Sequence, residues 1–86
     1  MPDFQITFAR SARKELEQLD AWQVERIFPR IEALSLNPRP VGCAKLHGAD
    51  KLWRIRVGDY RVLYSIDDRA MTIDIVAVAH RKDVYR

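Results

Sequence analysis

Two runs rich in β-branched and aromatic residues, Leu52 to Val57 and Tyr60 to Ile66, are separated only by Gly58-Asp59. A two-residue loop with glycine first suits a type II′ turn, which matches the twist of the flanking strands and sets their register. Val57 then faces Tyr60, Arg56 faces Arg61, and Ile55 faces Val62. Side chains alternate along a strand, so Trp53, Ile55 and Val57 share one face with Tyr60, Val62 and Tyr64. The other face carries Arg54, Arg56 and Arg61. A third run, Met71 to Ala79, follows Asp67-Asp68-Arg69-Ala70, and the three together read as an antiparallel meander.

The first half has different periods. Phe4, Ile6 and Phe8 alternate with Gln5 and Thr7 as in a half-buried strand, and from Ala9 to Leu19 the apolar residues recur every three or four positions. Asp20 is placed to cap a second helix with Val24, Ile27, Phe28, Ile31 and Leu34 on one face. Pro29 lies inside it and predicts a kink or a restart. Asn37-Pro38-Arg39-Pro40 ends the helix, and a loop is expected to about Asp50. The expected fold is α+β, with two N-terminal helices on one face of a small antiparallel sheet in the order β-α-α-β-β-β. Its other face is left open for function.

At 86 residues the chain has room for one domain, expected over 1–86. The lone Cys43 forms no internal disulfide and fits a reducing compartment. Neither an export signal nor a stretch of ~20 apolar residues is present, so a cytoplasmic location without membrane contact is expected. The net charge of +3 is unevenly placed. Residues 1–50 hold seven Lys/Arg and seven Asp/Glu, whereas 51–86 hold eight against five.

Arg56 opposite Arg61 is a destabilising pair of like charges. With Arg54 on the same face and no carboxylate at a facing position of the hairpin, an external anion explains the arrangement, and phosphate suits the guanidinium fork. The third strand returns to the Gly58-Asp59 end and continues into His80-Arg81-Lys82-Asp83-Val84-Tyr85-Arg86. That return is expected to bring His80, Arg81 and Tyr85 to the arginine face. His47, within Lys45-Leu46-His47-Gly48, is readable as a turn residue.

Over nearly its whole length the chain resembles the RelE/ParE toxin superfamily, and within it the RelE ribonucleases. The resemblance rests on the element order and on Lys45-Leu46-x-Gly48, Trp53-Arg54-Ile55-Arg56, Asp59-Tyr60-Arg61-Val62-Leu63-Tyr64 and His80-Arg81-x-x-Val84-Tyr85. It implies a toxin that enters the ribosomal A site and cleaves messenger RNA by attack of a 2′-hydroxyl on the adjacent phosphate, with no metal or cofactor. It also implies an acidic RelB-like antitoxin as partner in a hetero-oligomer. By the same resemblance Arg56, Arg61, Arg81 and Tyr85 are the expected catalytic residues, with Lys45, Arg54 and His80 binding substrate around them.

The chain departs from the family pattern where lysines are replaced by Arg54 and Arg56. Arginine does not give up its proton near neutral pH, so it is a poor general base. Tyr85, its phenol acidified by neighbouring arginines, and His80 are the candidates for proton transfer. Two other readings remain: a ParE-like inhibitor that binds DNA gyrase without cutting nucleic acid, and an RNA-binding relative without activity.

Overall fold

The computed structural model describes residues 3–46, 48 and 51–84. The pairing expected from the Gly58-Asp59 turn is the one adopted. Strand β3 (Leu52–Val57) and strand β4 (Tyr60–Asp67) are antiparallel, with Val57 opposite Tyr60, Arg56 opposite Arg61 and Ile55 opposite Val62. Gly58 has φ +61° while Asp59 stays out of the positive-φ region, as a type II′ turn requires. A side chain at Gly58 would meet a second obstacle, because its Cβ would lie 2.8 Å from the Arg26 guanidinium.

The remaining strands are β1 (Gln5–Phe8), β2 (Ala44–Lys45) and β5 (Thr72–His80), in the sheet order β1-β5-β4-β3-β2. The meander is present as expected. Two features were not legible in the sequence: β1 runs parallel to β5, making the sheet mixed, and the expected loop before Asp50 contributes Ala44 and Lys45 as a two-residue edge strand. Strand β5 also starts one residue later than its composition suggests, since Met71 takes φ 58° and belongs to the turn.

Helix α1 (Arg10–Glu17) and helix α2 (Ala21–Ala33) cover one face of the sheet. The capping role expected of Asp20 is partly reciprocal, with its backbone N–H donating to the Gln23 side chain at 3.2 Å. Helix α2 continues through Pro29 without restarting. Ala12 from α1 and Ile27 and Ile31 from α2, with Leu34 just beyond it, close over Ile55, Val57, Val62, Tyr64, Ile73, Ile75 and Val78.

Pairing between β4 and β5 shifts once. Leu63 faces Ala77 but Tyr64 faces Ile75, so Val76 is an extra residue and the alternation of β5 changes phase there. Ile73, Ile75 and Val78 all reach the core as a result. Helix α1 satisfies the outer edge of this bulged stretch: Ser11 donates its hydroxyl proton to the Val76 carbonyl at 2.9 Å, and the Glu15 carboxylate accepts the Val78 N–H at 2.8 Å. Covering an otherwise open strand edge in this way removes a site for unwanted strand pairing.

Tyr64 is fully buried and donates its hydroxyl proton to the Pro38 carbonyl at 2.7 Å. Arg39 beside it stacks 5.0 Å from the centre of the Trp53 ring and holds Asp68 through two hydrogen bonds. The segment after α2 is thereby tied to the sheet. Tyr64→Phe should lower stability by about 1–2 kcal/mol by leaving the Pro38 carbonyl without that donor. Burial pushes the Tyr64 phenol well above its ordinary value of about 10. The native protein therefore keeps a proton that the unfolded chain releases, and stability falls as pH rises past about 10. Urea midpoints between pH 9 and 11 should decline more steeply for the parent than for the Phe variant.

Candidate functional site

The face of the sheet away from the helices is built by alternation on β3 and β4. In register across it, Ala44, Arg54, Leu63 and Ala77 form one row, and Arg56, Arg61 and Ala79 form the next. The alanines keep the surface low beside the guanidinium groups. Strand β5 then passes into the short helix α3 (Arg81–Val84). The Arg81 N–H donates to the Asp59 carbonyl at 2.7 Å, which fastens the start of α3 to the hairpin turn.

Arg56, Arg61 and Arg81 come together with Gly58, Asp59 and Tyr60 around a cleft of about 200 Å³. Asp59 is the residue that sequence reading passed over. Its carboxylate lies 4.0 Å from the Arg81 guanidinium, both side chains being largely exposed, so the pair is solvent-screened and weak. Its place in the turn beside Arg56 and Arg61 was the available signal. Among the described residues, three guanidinium groups and one carboxylate line the cleft, a set suited to an anion, with Arg56 and Arg61 brought side by side by the paired backbones of β3 and β4.

The other expected residues fare differently. Arg54 shares the arginine face but does not line the cleft. Lys45 is exposed and pairs with Trp53, so its register position belongs to the opposite face from Arg54. His80 corrects the expectation that it reaches the arginines. It pairs with Tyr60, packs edge-on against that ring at 5.2 Å, and accepts the Lys82 N–H on Nδ1 at 3.2 Å, all on the helix side. The cause is the bulge at Val76, because continuing the Tyr64–Ile75 register would place Ala79 opposite Tyr60 and turn His80 the other way. The unbroken apolar run Ile75-Val76-Ala77-Val78 was the sequence signal for it. Tyr85 and His47 lie outside the described residues.

Among the described residues, no three His, Cys, Asp or Glu side chains gather as metal ligands would, and no helix is long and apolar enough to cross a membrane.

Residues 6–85 match the family model described as the ParE toxin of the type II toxin–antitoxin system parDE. The chain is 34% identical to Toxin RelG of Mycobacterium tuberculosis over 92 residues, covering 96% of this chain and 97% of that one. Among solved structures, it resembles the archaeal RelE–RelB complex from Pyrococcus horikoshii with a TM-score of 0.81 and 27% identity, covering 92% of this chain and 96% of the other. The RelB–RelE antitoxin–toxin complex from Methanococcus jannaschii gives 0.74 at 31% identity, covering 92% and 94%.

Proposed function

The chain belongs to the RelE/ParE superfamily of type II toxins, and we propose that it is a ribosome-dependent endoribonuclease that cuts messenger RNA without a metal ion. The observation that carries this reading is the cleft where Arg56, Arg61 and Arg81 converge. In the proposed reaction a 2′-oxygen forms a bond to the adjacent phosphorus, the bond from phosphorus to the 5′-oxygen breaks, and the 2′-proton passes to a base while an acid protonates the 5′-oxygen. The phosphorus gains negative charge on its equatorial oxygens during the attack, and the three guanidinium groups stabilise it there. Tyr85 is the group we assign to proton transfer. Arg54, on the same face, adds a cation for the neighbouring backbone, while Lys45 and His80 serve substrate contacts away from the cleft.

Single-stranded message is a flexible substrate, and the ribosome supplies the alignment that one small domain does not. Mapping message ends on programmed ribosomes tests the reading: cuts within the A-site codon support it. The family model is named for ParE toxins, which favours one alternative, inhibition of DNA gyrase by binding. Intact messages together with blocked gyrase supercoiling would select that alternative.

The partner belongs to the same proposal. The solved relatives named above are complexes of RelE with RelB, and an acidic RelB-like antitoxin suits a chain of net charge +3 whose surplus lies in residues 51–86, the part that supplies the cleft arginines. Such a partner, ordering as it binds, covers a large surface with a short chain. In the hetero-oligomer, Arg56 and Arg61 should be protected from a guanidine-directed reagent that modifies them in the free toxin. Equal modification in both states would place the antitoxin elsewhere.

A further inference from the structure

Behind the Gly58-Asp59 turn lies a second hollow, on the helix side of the sheet. It is bounded by Trp22, Gln23 and Arg26 of α2 and by Tyr60 and His80, with Asp59 at its mouth. Asp59 and Tyr60 line the arginine cleft as well, so the two hollows adjoin each other across the turn. Trp22 stands at the second position of α2 with 56% of its surface exposed and takes no part in the core. An indole left open beside a cationic cleft offers a stacking platform of the kind single-stranded RNA uses.

Apart from the Asp59 carboxylate at its mouth, which accepts, the polar side chains around the hollow offer donors. Gln23 accepts the Asp20 N–H on its amide oxygen and donates from its amide nitrogen to the Tyr60 hydroxyl oxygen at 3.2 Å. The Tyr60 proton is then left to be given to another acceptor. His80 accepts on Nδ1, which puts the proton of the neutral ring on Nε2. Arg26 adds a guanidinium packed over Gly58. The hollow is about 70 Å³, room for the edge of a base and not for a whole nucleoside.

We propose that this hollow is a subsite for one unpaired RNA base bearing carbonyl acceptors, uracil or guanine in preference to adenine, stacked on Trp22 while an adjacent phosphate occupies the arginine cleft. The proposal rests on the reading that the cleft takes RNA. Stacking without hydrogen bonds favours purines, so a preference for uracil over adenine is the signature of the donors.

The test uses hexamers of 2′-O-methyl uridine and 2′-O-methyl adenosine, which bind without being cut, titrated into the free toxin at low salt. The parent should prefer the uridine hexamer. Trp22→Ala should weaken its binding about 10-fold, within the range for losing one stacked base, while Trp22→Phe keeps it within about 3-fold. Unchanged affinity in Trp22→Ala, with Arg61→Ala weakened, overturns the subsite and leaves the ribonuclease reading standing. A preference for adenosine overturns the donor assignment. Unchanged RNA affinity with weakened binding of the acidic partner assigns the hollow to that partner instead. Failure of the parent to bind either hexamer, together with uncut messages on ribosomes, removes this proposal and the reading beneath it.

Discussion

Arg61→Ala should lower the single-turnover rate of message cleavage on programmed ribosomes by about 100-fold, the scale of removing one preorganised donor from an oxyanion site. Arg61 is held on β4 between Tyr60 and Val62, opposite Arg56 and beside Ala79. Its neighbours on the strand face the core, so its backbone is held on a rigid element beside the place where charge grows on the phosphorus. Arg61→Lys should recover only part of the loss, because an ammonium keeps the charge but not the fork that grips two phosphate oxygens. The fraction of folded protein, measured by urea titration of each variant, separates chemistry from scaffold. A variant that unfolds early yet retains full activity per folded molecule would assign Arg61 to stability alone.

Tyr85→Phe should have an effect at least as large, because it deletes a single hydroxyl while preserving the ring for stacking. General acid–base groups contribute roughly 10²–10⁴-fold, so cleavage should fall by that order while ribosome binding persists. The packing of His80 on the helix side bears on this choice. Its ring lies against Tyr60, on the opposite face of the sheet from Arg56 and Arg61. His80→Gln should therefore act through substrate binding, raising the concentration needed for half-maximal rate while changing the maximal rate much less than Tyr85→Phe does. The reverse order would return the proton transfer to His80. Undiminished cleavage by the Tyr85 variant, with loss in Asp59→Asn, would move the role to the carboxylate already lining the cleft.

The arginine face was legible in the sequence because everything that makes it is local. Gly58-Asp59 permits one tight turn, the turn sets the register, and the two-residue period then places Arg54, Arg56 and Arg61 together without reference to the rest of the chain. The helices were legible for a similar reason, since the spacing of Ile27, Ile31 and Leu34 reports a buried face directly. Between the kink and the restart that Pro29 allowed, the sequence could not choose; the helix does not restart, because its buried face, with Ile27 and Ile31 on either side of the proline, is held against the sheet.

What the tertiary structure alone decided is which cations and rings share a side. Strict alternation along Thr72–His80 would keep Ala77 and Ala79 in phase with Ile73 and Ile75, and nothing local prevents it. The bulge at Val76 instead brings Val78 into the core, and Ser11 and Glu15 of α1, more than sixty residues away in sequence, take up backbone groups at the strand's outer edge. That long-range exchange turns His80 toward Trp22 and Tyr60, and the Arg81 N–H bond to Asp59 fastens α3 at the mouth of the cleft. A sequence states the alternation of each strand. The phase of β5 relative to its neighbours depends on contacts that exist only once α1, β1 and β4 have closed around it.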